Sequence, residues 1–274
     1  MLGKFLFPPR CAACRKLLSW TAPGDDRVRG RSIERALCSS CSAKWLDAEQ
    51  AECGTCASPI RYCLCMPQSL KTARMHALFK LSYYVPRRRE HVQNRVIYHI
   101  KESGEGRTPQ FLAERLAPSI AETLRIHGIS LDSCVVTYLP RSTRAVVAGG
   151  VDQSKNLAQA LSGILGIPSV RLIRRRRGAN RVQKQLSPEE RVKNAKSAFL
   201  FAGDADCRGK TVLLVDDIVT TGAGMAACSR ILYSEGARRV IGVTVAVDEI
   251  NRDLGVKGLI SRDSREKSAF FAQK

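Results

Sequence analysis

The stretch 212–224 reads VLLVDDIVTTGAG, and it limits the choice of fold more than any other part of the chain. Residues 211–215 form an apolar, β-branched run of the kind that makes a buried strand. The run stops at Asp216 and Asp217. Thr220, Thr221, Gly222, Ala223 and Gly224 follow, and a helical pattern begins near Met225. Strand, glycine turn and helix in that order form a βα unit, and such units build parallel sheets. Glycines let the backbone approach a ligand and adopt positive φ. Successive N–H groups then converge beside the positive end of a helix dipole, a setting suited to phosphate. The two carboxylates would repel a phosphate laid on them, but they suit ribose hydroxyls or Mg²⁺ held through water. Together the halves describe a 5-phosphorylated ribose. The plainer alternative is a turn in which these residues only cap a helix.

The surrounding chain alternates in the same way. Residues 134–139 (CVVTYL), 169–173 (SVRLI), 211–215 and 240–247 (VIGVTVAV) read as strands. Helical spacing appears at 92–100, 110–127, 153–165 and 225–234, with Gly128, Gly166 and Gly236 as stops. The expectation is an α/β fold with a parallel sheet and helices on both faces. Ligands in such sheets bind at the carboxyl ends of strands, where Asp216 and Asp217 lie.

The head of the chain is different. Of eleven cysteines, eight precede residue 66: Cys11, Cys14, Cys38, Cys41, Cys53, Cys56, Cys63 and Cys65. Three pairs are spaced C-x-x-C and the last is C-x-C. Two such pairs can aim four thiolates at one tetrahedral ion, so eight make two sites. Zinc is the expected metal, although the same ligands could hold an iron–sulfur cluster. Sequential pairing is simplest: the first four on one ion, the last four on another. A crossed pairing would use the same thiols. Four thiolates leave no position for water, which makes both sites structural. The predicted organisation is a double zinc ribbon over 1–68, a linker, a main domain over 72–250 and a weakly ordered tail over 251–274.

No apolar run is long enough to span a bilayer, and the opening MLGKFLFPPRC lacks the pattern of a secretory leader. The expected location is the cytoplasm, with reduced thiols. The formal net charge of +20 points to an anionic partner. Two basic clusters stand out, Arg87, Arg88 and Arg89, and the run from 171 to 196 with Arg174, Arg175, Arg176, Arg177 and Arg181. Three uses compete for them: a lid that grips pyrophosphate, a track for single-stranded DNA, and a solvated surface. Tyr83, Tyr84 and Tyr98 are the nearest candidates for base stacking.

With these features in place, VLLVDDIVTTGAG resembles the PRPP-binding signature of type I phosphoribosyltransferases (PRPP, 5-phosphoribosyl-1-pyrophosphate). The eight thiols ahead of it make the chain similar to the ComF/GntX family of competence-associated phosphoribosyltransferase-like proteins. LFPPRCAAC at 6–14, GVDQSKNLAQAL at 150–161, QKQLSPEERVKNAKSAF at 183–199 and EGARRV at 235–240 agree with that family. The resemblance implies that Asp216 and Asp217 contact ribose and metal, and that Thr220, Thr221, Gly222, Ala223 and Gly224 cradle the 5-phosphate. It also implies a pyrophosphate loop at Leu139, Pro140, Arg141 and Ser142, and a mobile hood over 174–191. Two departures from the family pattern are Gly149 and Asp152 in place of Arg and Asn, and Gly224 in place of a Thr. Both remove anion-binding groups.

The function that follows is a PRPP-binding protein that handles single-stranded DNA during natural transformation, with the DNA-uptake machinery as partner and Mg²⁺ accompanying PRPP. An active Mg²⁺-dependent phosphoribosyltransferase and a PRPP-sensing nucleic-acid-binding regulator are the alternatives. A transferase of this kind needs no covalent nucleophile, and the sequence offers no Ser–His–Asp or Cys–His set.

Overall fold

The computed structural model describes residues 9–18, 32–103, 107–141, 151–176, 198–203 and 205–256. In chain order the elements are α1 (Ser32–Ala36), α2 (Ser39–Glu49), β1 (Met66–Pro67), α3 (Gln68–Thr72), β2 (Leu78–Phe79), β3 (Ser82–Tyr84), α4 (Val92–Ser103), α5 (Arg107–Ile126) and β4 (Cys134–Tyr138). They continue with α6 (Gln153–Leu165), β5 (Ile173–Arg175), β6 (Phe199–Phe201), β7 (Thr211–Val219), α7 (Ala223–Ser234), β8 (Arg239–Asp248), α8 (Asn251–Leu254) and β9 (Gly255–Val256).

The central sheet runs β2–β8–β7–β4, and β3 continues the edge beside β8. Every pairing in it is parallel. Alternation along β7 sends Val212 and Leu214 into one core and Leu213 and Val215 into the other. That is the consequence of a period of two in a sheet covered on both faces. Helices α4, α5 and α6 fill one side, and α3 and α7 the other.

Four segments depart from the sequence reading. The strand expected to end at 215 runs on to Val219, with Asp216 opposite Thr244 and Ile218 opposite Ala246. The ten-residue β8 offers backbone partners that far, and local amides satisfy the carboxylates. The strand expected at 169–173 is reduced to one bridge between Ser169 and Val136. There the Thr137 hydroxyl accepts the Leu172 N–H at 3.2 Å, so the chain peels away. It forms β5 instead, antiparallel to β6 and outside the main sheet. The expected linker is β1 and α3, because Met66 and Leu70 are buried. The segment after 250 opens with α8 and with β9, which pairs with β1.

The head shares its core with the sheet domain. Trp45 is fully buried and meets Phe111 of α5 edge-on at 5.5 Å. Cys11, Leu37 and Cys41 belong to the same cluster as Leu112 and Val215. Cys53, Cys63 and Cys65 pack with Leu70, Met75 and Val212 in the other. So few large apolar side chains give the head no interior of its own, and it borrows the sheet's.

Candidate functional site

Each C-x-x-C at the start of a thiol group is a tight turn of one design. Arg15 N–H donates to Cys11 O at 3.0 Å and Ala57 N–H to Cys53 O at 2.7 Å. The residue after the second cysteine turns left-handed in both, at φ 65° for Arg15 and 54° for Ala57. Cys38 and Cys41, at the start of α2, complete the first group, and Cys63 and Cys65 the second. Within each group the four sulfurs lie within 4.8 Å of one another. The Cys14–Cys38 separation is 3.7 Å, close to the ~3.8 Å edge of a tetrahedron with Zn–S arms of about 2.3 Å. Hydrogen bonds from Cys56, Cys63 and Cys65 hold the Cys53 thiol far below its ordinary range, while bonds to Cys53 and Cys56 push Cys65 up. Thiols that crowd and share protons in this way fit a cation at their centre. Both groups could hold zinc.

At the carboxyl end of β7, Asp216 and the residues from Ile218 to Met225 line a pocket with about 250 Å³ of open space. Asp216 Oδ1 accepts from Ser154 Oγ at 3.0 Å and from the Asp217 N–H at 2.9 Å. Burial first, and the neighbouring Asp217 charge second, hold the Asp216 carboxyl well above the usual carboxylate range. Asp217 Oδ1 accepts the Ile218 N–H at 2.8 Å, and the Asp217 carbonyl accepts Thr244 Oγ1 at 3.0 Å. Thr220 and Thr221 are exposed at the turn. Gly222 sits at the N-cap of α7 with φ 74° and ψ 0°, a left-handed conformation that glycine adopts without penalty.

The strand end at 139–141 comes to the same place. A Cβ on Gly224 would lie 3.2 Å from Leu139 Cδ2, so Leu139 occupies the room a larger residue would take. Arg141 Nη1 donates to Val151 O at 2.9 Å. Asp152 caps α6, where its side chain accepts the Lys155 N–H. Ser142 and Gly149 lie outside the described residues.

The basic clusters divide. Arg87, Arg88 and Arg89 are exposed, with Arg89 over the Tyr98 ring at 5.5 Å. The nearby tyrosines do not offer an open stacking face. Tyr83 is buried, and the Tyr84 and Tyr98 hydroxyls bond each other at 2.9 Å. On β5, Arg174 faces solvent while Arg175 turns inward, as strand alternation requires, and Arg176 just after the strand is exposed. Arg175 Nε donates to Pro140 O at 3.1 Å, and its guanidinium lies 5.0 Å from the Phe199 ring centre. Burial lowers its pKa, while the facing Cys228 and Asp216 counter that fall. Arg175 therefore lies inward against Pro140 and Phe199, within electrostatic reach of Asp216, rather than on an outer basic surface. Arg177 and Arg181, with the rest of the basic run to 196, lie outside the described residues.

Sequence reasoning passed over Ser154, whose place at the start of α6 puts its hydroxyl on Asp216. It also passed over Lys80. This lysine is buried, and its Nζ donates to the carbonyls of Cys63 at 2.9 Å, Cys65 at 2.6 Å and Leu78 at 3.2 Å. Its one visible signal was a lone charge set in the apolar run 77–81 (ALFKL).

A doubly covered parallel sheet, a carboxylate pair at a strand end and a glycine turn into a helix define a type I phosphoribosyltransferase-like protein, here with two four-thiol groups ahead of the sheet. A family model described as phosphoribosyl transferase domain matches residues 143–267. Competence protein F of Haemophilus influenzae is 26% identical over 253 residues, covering 88% of this chain and 96% of that protein. The DNA utilization protein YhgH of Salmonella typhi is 26% identical over 235 residues, covering 85% and 94%. A shorter stretch of 37 residues is 54% identical to the ribose-phosphate pyrophosphokinase of Sulfolobus acidocaldarius, covering 14% and 13%. Over most of its length the chain is similar to these competence and DNA utilization proteins, and it carries a phosphoribosyl transferase domain match in its second half.

Among the described residues no helix is long and apolar enough to cross a membrane.

Proposed function

We propose that this protein binds PRPP at the carboxyl end of β7 and handles single-stranded DNA during DNA uptake. The observation that carries the first half is the junction itself. A half-buried, hydrogen-bonded Asp216 stands next to a turn whose amides precede α7. Amides at a helix start favour the 5-phosphate. Asp216 and Asp217 suit the ribose hydroxyls and the waters of a Mg²⁺ ion. Leu139, Pro140, Arg141 and Ser142 are the residues proposed to form the pyrophosphate loop. Mg²⁺ arriving with PRPP would neutralise pyrophosphate charge. The inward Arg175 adds a cation that the protein supplies itself.

The names of the relatives, competence and DNA utilization proteins, support the second half, as does the charge of +20. The exposed Arg87, Arg88, Arg89, Arg174 and Arg176 are the described residues proposed to meet the phosphate backbone, with Arg177 and Arg181 as further contacts from the basic run. The head, whose thiol groups could hold zinc and which packs on the sheet's core, is the proposed docking module. Calorimetric titration of PRPP with and without Mg²⁺ tests the site. Saturable binding that strengthens with Mg²⁺ is expected, and no heat at millimolar PRPP overturns the reading. A pyrophosphate-release assay over a panel of bases and amines then separates a binder from a transferase.

A further inference from the structure

The glycine turn is held by residues that lie outside it. Ser69 Oγ, on α3, donates to the Thr221 carbonyl at 2.7 Å across 152 residues of sequence. Asn251 Nδ2, on α8, donates to the Thr220 carbonyl at 2.9 Å from the other end of the chain. These two carbonyls belong to consecutive peptide units in the middle of the turn. No peptide bond in the described chain is cis, and in a trans unit the N–H points opposite to the C=O. Fixing the Thr220 carbonyl on Asn251 sends the Thr221 N–H the other way. Fixing the Thr221 carbonyl on Ser69 does the same for the Gly222 N–H. The pocket is lined by Asp216 and by Ile218 through Met225.

We propose that Ser69 and Asn251 are positioning residues for the phosphoryl group. They draw two carbonyls out of the turn so that the Thr221 and Gly222 amides face the pocket. The inference rests on the reading of this turn as a phosphate cradle. Without the two donors, either peptide unit can flip and present a carbonyl oxygen to the anion, replacing attraction with repulsion.

The two donors are themselves held firmly. Three residues separate Ser69 from Cys65, and Lys80 Nζ grips the carbonyls of both Cys63 and Cys65. A Cβ on Gly222 would lie 2.7 Å from Ser69 Oγ and 3.0 Å from Leu70 Cδ2, so turn and α3 are in contact with no room between them. Asn251 also donates to Asp248 O at 3.3 Å, and its neighbour Arg252 donates to Glu52 O at 3.1 Å, beside Cys53. Both donors thus reach the turn from the surroundings of the second thiol group. This gives that group a task beyond stabilising the head: it sets the backbone of a turn on another part of the chain.

The test uses the full-length, zinc-loaded protein and its Ser69→Ala and Asn251→Ala variants. PRPP with Mg²⁺ is titrated calorimetrically, and inorganic phosphate is titrated while amide NMR signals are followed. Each substitution is expected to weaken PRPP by about 3–10-fold, the size of one lost neutral hydrogen bond. The Thr221 and Gly222 amide signals should respond to phosphate in the wild type and respond less in the variants, with zinc content unchanged. A role limited to general stability would lower the melting temperature but leave those two amides responding as before, which overturns the inference. So does wild-type PRPP affinity in both variants. Failure of the wild type itself to bind PRPP overturns the reading of the turn as well, so the two failures are distinct.

Discussion

Glu49 and Arg115 form a two-pronged ion pair across the seam between the cysteine-rich head and the sheet domain. Arg115 Nε donates to Glu49 Oε1 at 3.0 Å, and Nη2 donates to Oε2. Trp45 Nε1 and Arg61 Nη1 add bonds to the same carboxylate, at 2.6 and 3.2 Å. Glu49 is fully buried, so α2, the turn after it and α5 meet on one desolvated charge. Removing one partner of such a pair leaves uncompensated charge in the interior. Glu49→Ala is expected to cost about 3–5 kcal/mol, read as a fall in Tm on the order of 10 °C for a domain of this size. Calorimetric melting checks it, and an unchanged Tm would show that the seam does not depend on this carboxylate.

Asp216 is expected to set stability against function. Its folded pKa is raised by burial and by Asp217. A carboxyl with a raised folded pKa contributes stability that is fully present below its unfolded pKa and is lost as pH rises through the folded pKa. At neutral pH the empty site therefore carries a penalty. Asp216→Asn keeps an acceptor for Ser154 Oγ and for the Asp217 amide, and should raise Tm at neutral pH. The gain should shrink toward acid. The same substitution should weaken Mg²⁺–PRPP by about 10–100-fold, the worth of a lost charge-assisted hydrogen bond. In the wild type, PRPP affinity should fall as pH drops through the raised pKa. Melting curves and titrations across pH read both effects.

Gly222→Ala should damage the turn without touching its polar groups. The left-handed backbone costs a non-glycine residue about 1–2 kcal/mol, and the added methyl meets Ser69 and Leu70. Lower Tm and weaker PRPP binding are expected together. A neutral outcome would mean that the turn adopts another conformation in solution.

Elemental analysis should find two zinc ions per chain, with no visible absorption of the kind an iron–sulfur cluster gives. Structural zinc sites contribute about 10–16 kcal/mol each in small domains. A strong chelator should therefore expose Trp45, seen as a shift in its fluorescence, and release α2 from Phe111. Freshly purified protein with neither metal nor cluster would remove this reading of the thiols.

Single-strand binding should be steeply salt-dependent, with log affinity falling by about 0.7 per log unit of salt for each neutralised phosphate. Replacing Arg87, Arg88 and Arg89 together by alanine should flatten that slope by roughly 2 if each meets one phosphate. Fluorescence anisotropy with a labelled oligonucleotide measures it, and an unchanged slope removes these three from the interface.

The sequence by itself determined what is local. The thiol spacing, the apolar run 211–215, the glycine turn and the helix 153–165 are each set within a few residues by steric and hydrogen-bonding rules. They emerge in the structure as the two thiol groups, β7 and α6. Tertiary structure decided everything that depends on distant segments meeting. Arg175 looked like one of four equal arginines until β5 paired with β6 and alternation turned it inward. Asp216 looked only like a ligand carboxylate at a strand end until α6 placed Ser154 against it. The segment 66–72 looked like a linker until Leu70 packed against the turn it helps to hold. A side chain's role as a donor, a wall or a charge depends on its neighbour, and that neighbour can lie 152 residues away, as Ser69 lies from Thr221.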